Sequence, residues 1–117
     1  MHLRTLRALT LAAAATTVSM GTLSASANAQ DGGLAGMHDQ RRERGRLCMS
    51  DHFHSGSGVG KTKEAAKAAA IRSWADFTAF EYGNRWASFS IAGSKGISYT
   101  KENAGWSATV EARPCRR

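Results

Sequence analysis

The chain has 117 residues, two cysteines, and 16 Lys plus Arg against 9 Asp plus Glu, a formal charge of +7. That length holds one small domain and excludes the large doubly wound sheet of a nucleotide-handling enzyme. The basic excess suits loose association with anionic surfaces such as envelope polysaccharide or nucleic acid. Many soluble basic proteins share it without any anionic partner, so charge alone selects no ligand.

The N-terminus reads as a secretory signal peptide over residues 1–29. MHLRTLR supplies Arg4 and Arg7, an alanine-rich apolar run follows from Ala8 to Val18, and Ala27-Asn28-Ala29 forms the small-residue end. The run is too short to stay as a membrane anchor, and no cysteine lies near the cut to take a lipid. Cleavage after Ala29 predicts a periplasmic or secreted protein of 88 residues with no transmembrane anchor. In an oxidising compartment Cys48 and Cys115 are expected to pair, the alternative being two free buried thiols. The bridge closes a loop of about 68 residues, for which chain-entropy arithmetic gives roughly 4 kcal/mol.

Residues 30–45, QDGGLAGMHDQRRERG, are glycine-rich, polar and without apolar period, and read as a disordered basic arm. Arg41, Arg42, Arg44 and Arg46 are the densest positive charge, either an electrostatic contact or a solvated tail. The remainder, 46–117, reads as one domain. RLCMSDHFH alternates as a strand, with Leu47, Met49 and Phe53 opposite Cys48, Ser50, His52 and His54. SGSGVG reads as a flexible lead-in to a helix.

The helix is the clearest element. Thr62 caps it, Glu64 occupies its first turn, and Gly83 stops it. Ala66, Ala70, Trp74 and Phe77 recur at helical spacing with Ile71 beside them. After Gly83 the period becomes two: NRWASFSIA, ISYTK and WSATVEARP read as strands, joined by turns at GSKG and ENAG and ended by Pro114. The expected fold is α+β, one helix packed on an antiparallel sheet of about four strands in the order β-α-β-β-β, with one disulfide.

SGSGVGKT, residues 55–62, is one residue from a phosphate-binding loop, with Ser55 where the first glycine belongs. The preceding segment is polar and no later apolar strand ends in an Asp to hold magnesium, so no nucleotide partner is expected. GVGKTKEAAKAAA, residues 58–70, is similar to the last-helix lead-in of double-stranded RNA-binding domains, with Lys63 and Lys67 at the phosphate-gripping positions. Glu64 departs from that pattern, and here strands follow the helix where that family has them before it. The likeness is therefore read as convergence on a cationic, alanine-rich helix. More broadly, a glycine-rich lead-in, an alanine helix running into FEYG and a terminal ARPC resemble small exported bacterial proteins of uncharacterised function. That resemblance spans most of Cys48 to Cys115 and implies a shared fold without an assigned activity.

The main chemical candidate is DHFH. His52 and His54, two apart on a strand, project to one face and can chelate copper, nickel or zinc; the alternative is two histidines on a wet strand end. Asp51 points the other way unless the strand ends there, and His38 belongs to the arm. Glu81 and Tyr82 at the helix end can act with His54 as an acid/base pair, but no spacing requires it. No serine carries a nucleophile motif, so no catalytic residue is assigned. Trp86, Tyr82 and Trp106 form a ligand platform if exposed, with Trp86 either exposed or packed under the N-terminal arm.

Two functional expectations follow. The first is an exported, non-enzymatic binding protein for an anionic envelope polymer or a protein partner, contacting it through Arg41, Arg42, Arg44, Arg46, Lys61 and Lys63. The alternative is weak transition-metal binding through His52 and His54.

Overall fold

The computed structural model describes residues 34–117. The signal-peptide reading of residues 1–29 lies outside that range. The elements are β1 (Gln40–Glu43), β2 (Arg46–Met49), β3 (His54–Gly60), α1 (Lys63–Tyr82), β4 (Gly93–Glu102), β5 (Gly105–Arg113) and β6 (Cys115–Arg116). Short 3-10 turns stand at Ala35–Met37, Asn84–Trp86 and Phe89–Ile91. The class is α+β as expected, but the strands form two antiparallel sheets, β1-β2-β6 and β3-β5-β4. No helix among the described residues is long and apolar enough to cross a membrane.

SGSGVG is a strand and not a flexible lead-in. His54, Gly56, Gly58 and Gly60 alternate with Ser55, Ser57 and Val59, so the glycines share one face. That face lies against α1 closely enough that a Cβ on Gly56 would collide with the Ala70 carbonyl and the Trp74 amide. A Cβ on Gly58 would meet the Ala69–Ala70 backbone, and one on Gly60 the Ala65–Ala66 backbone. The glycines serve as a groove for the helix rather than as a source of flexibility.

The helix answers with a stripe at four-residue spacing: Ala66, Ala70, Trp74, Thr78 and Tyr82 are its buried residues. Thr78 takes the place expected for Phe77, which stays 45% exposed. The Thr62 side chain accepts from the Ala65 amide at 3.1 Å, and Gly83, at φ 95°, ends the helix with its amide on the Ala79 carbonyl. Trp74 anchors the main core among Ala92, Ala108, Val110 and Ala112, and its indole donates to the Ala112 carbonyl at 3.3 Å.

Three other expectations change. The 46–54 strand breaks into β2 and β3 around a bend at 50–53, which frees β2 to pair with β6 and β3 with β5. The 84–92 segment is two 3-10 turns. Their tighter period sends Trp86 into a second buried cluster with Ala35, Met49 and Tyr82, and sends Phe89 edge-on to Trp74 at 5.2 Å in the first. GSKG lies within β4, where the ladder shifts register between Gly93 and Gly96.

Residues 34–45, expected as a disordered arm, are built into the fold. A hairpin pairs β1 with β2 across Arg44 and Gly45, both at positive φ as a primed turn requires. Ala35 is buried beside Trp86, which is thus covered by the N-terminal segment and not exposed. The expected bridge is present: Cys48 and Cys115 are disulfide-bonded as register partners of β2 and β6.

Pro114 interrupts the chain between β5 and β6, carrying it from one sheet into the other. Arg113, on the expected polar face of its strand, is instead buried there. Its guanidinium donates to the Met49 carbonyl at 2.6 Å, to Ser94 Oγ at 3.2 Å and to Glu43 Oε2 at 2.9 Å. One side chain thereby joins β5 to β1, β2 and β4, with charge-assisted bonds in place of lost water.

Two predictions follow. Gly56→Ala must push α1 off β3, costing about 2 kcal/mol or more as overpacking does. Gly96→Ala, where an added Cβ meets nothing within 4 Å, should leave the melting temperature almost unchanged. Equal melting points for the two variants would contradict the close helix–strand contact. The second concerns Glu43, whose hydrogen bonds from Arg113 and then Arg41 hold its carboxyl down at about 2 from an ordinary 4.5. A group depressed in the folded state stabilises fully above its unfolded value and loses that contribution as pH falls towards the folded one. Urea denaturation should therefore show stability declining from pH 4.5 towards 2, with a shallower decline in Glu43→Gln.

Candidate metal centre

His54 opens β3 on the same face as the three glycines, so the close approach of α1 sets that imidazole against the last turns of the helix. The side chain is 1% exposed. Its Nδ1 lies 2.9 Å from Thr78 Oγ1, and Thr78 Oγ1 itself donates to the Trp74 carbonyl at 2.7 Å. A hydroxyl has one proton to give, and that proton goes to the carbonyl. Thr78 therefore accepts from His54, and the neutral ring carries its proton on Nδ1.

That tautomer leaves Nε2 as a bare lone pair. It stands 2.8 Å from Glu81 Oε2, a distance fit for an ion pair, yet without the alignment of a hydrogen bond. A lone pair facing a carboxylate at that range is stable only with a cation between or beside them. Protonation supplies one, but burial pushes the His54 imidazolium down, against the pull of Glu81 and with help from neighbouring His52 and His38. A metal ion is the other cation that fits.

His52 completes the group. Ligand atoms of His52, His54 and Glu81 all lie within 4.8 Å of one another. The His52 and His54 ring centroids are 5.1 Å apart and nearly perpendicular. Tyr82 stacks on His54 at 4.8 Å and Phe77 flanks it at 4.7 Å, so the donors have an apolar wall. The Tyr82 hydroxyl is pushed up to about 12 by burial and by the Glu81 charge, which keeps it a neutral neighbour.

Access is from the other side. The His38 ring lies 4.2 Å from that of His52, tilted by 32°, and an open cavity of about 290 Å³ is lined by Met37, His38, Asp39, Asp51 and His52. Two imidazoles and one carboxylate form a set suited to zinc, nickel or copper(II), and of the three residues His52 lines that cavity. Thr78 is the outer partner that fixes the His54 ring and its tautomer.

The histidine pair was legible in the sequence, although His54 is a buried group and not one of two on a wet strand end. Glu81 was legible as a neighbour of His54 but not as a ligand. Thr78 was missed; its signal was the continuation of Ala66, Ala70 and Trp74 by another step of four. The strand does end before Asp51, which is exposed in the bend and lines the same cavity as His52, and His38 is held against His52 by the ordered N-terminal segment.

The basic residues fall on two parts of the fold, the β1–β2 hairpin and the start of α1. Arg41 pairs with Glu43 and Arg46 donates to the Ile91 carbonyl, while Arg42 and Arg44 are exposed on the β1–β2 hairpin. Lys61 and Lys63 stand at the junction of β3 and α1, with Lys63 Nζ 4.6 Å over the Trp106 ring. Trp106 is only partly buried, so of the three aromatics Trp86, Tyr82 and Trp106 it alone offers a platform.

The chain matches no known protein family, no characterised protein and no solved structure. The chemistry of the site carries the functional reading by itself.

The tautomer is directly measurable. Long-range proton–nitrogen correlation spectra at about pH 8 should show His54 protonated on Nδ1, and Thr78→Val should abolish that preference. A His54 ring protonated on Nε2 in the wild-type protein would remove the bare lone pair from the site.

Proposed function

We propose that the protein is an exported binding protein that holds a divalent transition-metal ion, zinc, nickel or copper(II), on His52, His54 and Glu81. The observation that carries this reading is the buried His54 Nε2 set 2.8 Å from the Glu81 carboxylate, on a ring whose Nδ1 donates to Thr78. Two like-polar groups brought that close in an apolar wall favour whatever cation can lie at both. His52, which lines the cavity, supplies the third ligand, and a set of three protein ligands suits an ion that is sequestered or handed on. Export is supported by the composition of residues 1–29 and by the disulfide, which an oxidising compartment maintains.

The test is calorimetric titration of the processed, oxidised protein with zinc, nickel and copper(II). At least one ion should bind with micromolar or tighter affinity. The His52→Ala, His54→Ala double variant should lose that binding, and the milder Glu81→Gln should weaken it by roughly tenfold or more. Heat from none of the three ions, or binding indifferent to both His52→Ala and Glu81→Gln, would overturn the proposal.

A further inference from the structure

α1 lies across β3 and β5 and leaves β4 outside its cover. From Ser94 to Glu102 every residue of β4 is exposed, and the strand pairs only with β5 among the described residues. Beyond the register shift at Gly93–Gly96, its far edge thus offers the alternate backbone donors and acceptors that do not pair with β5. Register defines what stands beside that edge. Ile97, Tyr99 and Lys101 are partners of Val110, Ala108 and Trp106, so they share the face on which the helix sits. Between β4 and α1 this leaves a groove of about 510 Å³ lined by Lys67, Ile71, Phe89, Ser90, Lys95 and Ile97.

The groove has an apolar floor and a basic rim. Lys63 stands 5.4 Å over the Tyr99 ring, Lys101 4.9 Å over Trp106, and Lys95 5.8 Å over Phe89. No acidic residue lines it, and none of Lys63, Lys67, Lys95 and Lys101 enters an ion pair among the described residues. Lysines on an edge strand repel a second copy of the same edge, which would bring Lys95 and Lys101 against their own equivalents. They attract a strand of opposite charge.

We propose that β4 is a docking edge for an extended acidic peptide segment of another protein, added as a fourth strand to the β3-β5-β4 sheet. Main-chain hydrogen bonds to β4 supply the framework, and alternate side chains of the added strand face the groove. Along β4 the groove side reads Lys95, Ile97, Tyr99, Lys101, so the matching segment carries acidic residues at its two ends and apolar ones between, at every second position. The pattern is the same in both directions and admits either strand polarity. This surface is separate from the His52–His54–Glu81 group and does not depend on it.

The probe is the capped peptide Glu-Thr-Val-Thr-Val-Thr-Glu, titrated at low salt against the oxidised protein, with its Lys-ended counterpart as control. The acidic peptide should bind with a Kd below about 1 mM and slow hydrogen exchange of the β4 amides. Lys95→Glu with Lys101→Glu, both on exposed positions, should weaken it at least about tenfold and transfer binding to the Lys-ended peptide. Lys101→Glu alone should give a partial loss. No binding of the acidic peptide, or binding that ignores the charge reversal, would overturn the proposal. So would binding without protection of β4 amides and matched by heparin, which would make the groove a site for anionic polymers held by charge alone.

Discussion

The contact between the glycine face of β3 and the alanine stripe of α1 sets the geometry of everything else. A helix normally stands off a sheet by the thickness of the side chains between them; here one strand contributes none at Gly56, Gly58 and Gly60. The helix axis consequently drops onto β3, and the long Trp74 side chain fills the space over β5 instead. His54 shares that glycine face and is the only residue on it with a side chain of any size. It is therefore driven into the last turns of α1, where Thr78 accepts from its Nδ1 and the Glu81 carboxylate faces its Nε2. The candidate metal centre is a consequence of the close packing, since a bulkier strand would hold Thr78 and Glu81 away from the ring.

A second constraint seats the N-terminal hairpin. Arg113 is buried at the point where the chain leaves one sheet for the other, and its guanidinium binds groups from β1, β2 and β4 at once. The Cys48–Cys115 bridge ties β2 to β6 beside it. Together they hold residues 34–49 over Tyr82 and Trp86, in a small core of its own. That placement matters for chemistry because it carries His38 onto His52 and encloses one side of the cavity that leads to the site. The site thus lies where the two sheets and the end of the helix converge.

The two surfaces of interest differ in how they are built. The histidine group is made by burial: desolvation works against the imidazolium, the tautomer is set by one hydroxyl, and the remaining lone pair is left facing a carboxylate. The β4 edge is made by omission, because α1 is only wide enough to cover two strands of three. Its lysines give the rim of the exposed apolar floor a single sign of charge.

Features governed by local period were legible in the sequence. The capped helix, its Ala66–Ala70–Trp74 stripe, the β5 alternation and the cysteine pairing each depend on residues close in sequence or on compartment chemistry, and the α+β class follows from them. The closeness of His52 and His54 belongs here too, because two residues apart is a local fact, although the chain bends before His54 and buries it. What the tertiary structure decided is what each face meets. Gly56, Gly58 and Gly60 read as flexibility because a glycine's role as a groove exists only once a helix lies in it. Trp86 read as a member of an alternating strand because alternation cannot show that two clusters compete for the same short segment. Residues 34–45 read as an arm because Arg113 and Trp86, which hold them down, are remote in sequence, and the local hairpin to β2 carries no apolar period. Glu81 became a ligand candidate only when packing brought it 2.8 Å from a nitrogen 27 positions earlier. Sequence periodicity reports which side of an element is apolar, whereas a site made of opposed elements requires the distance between them, and that distance is set by packing.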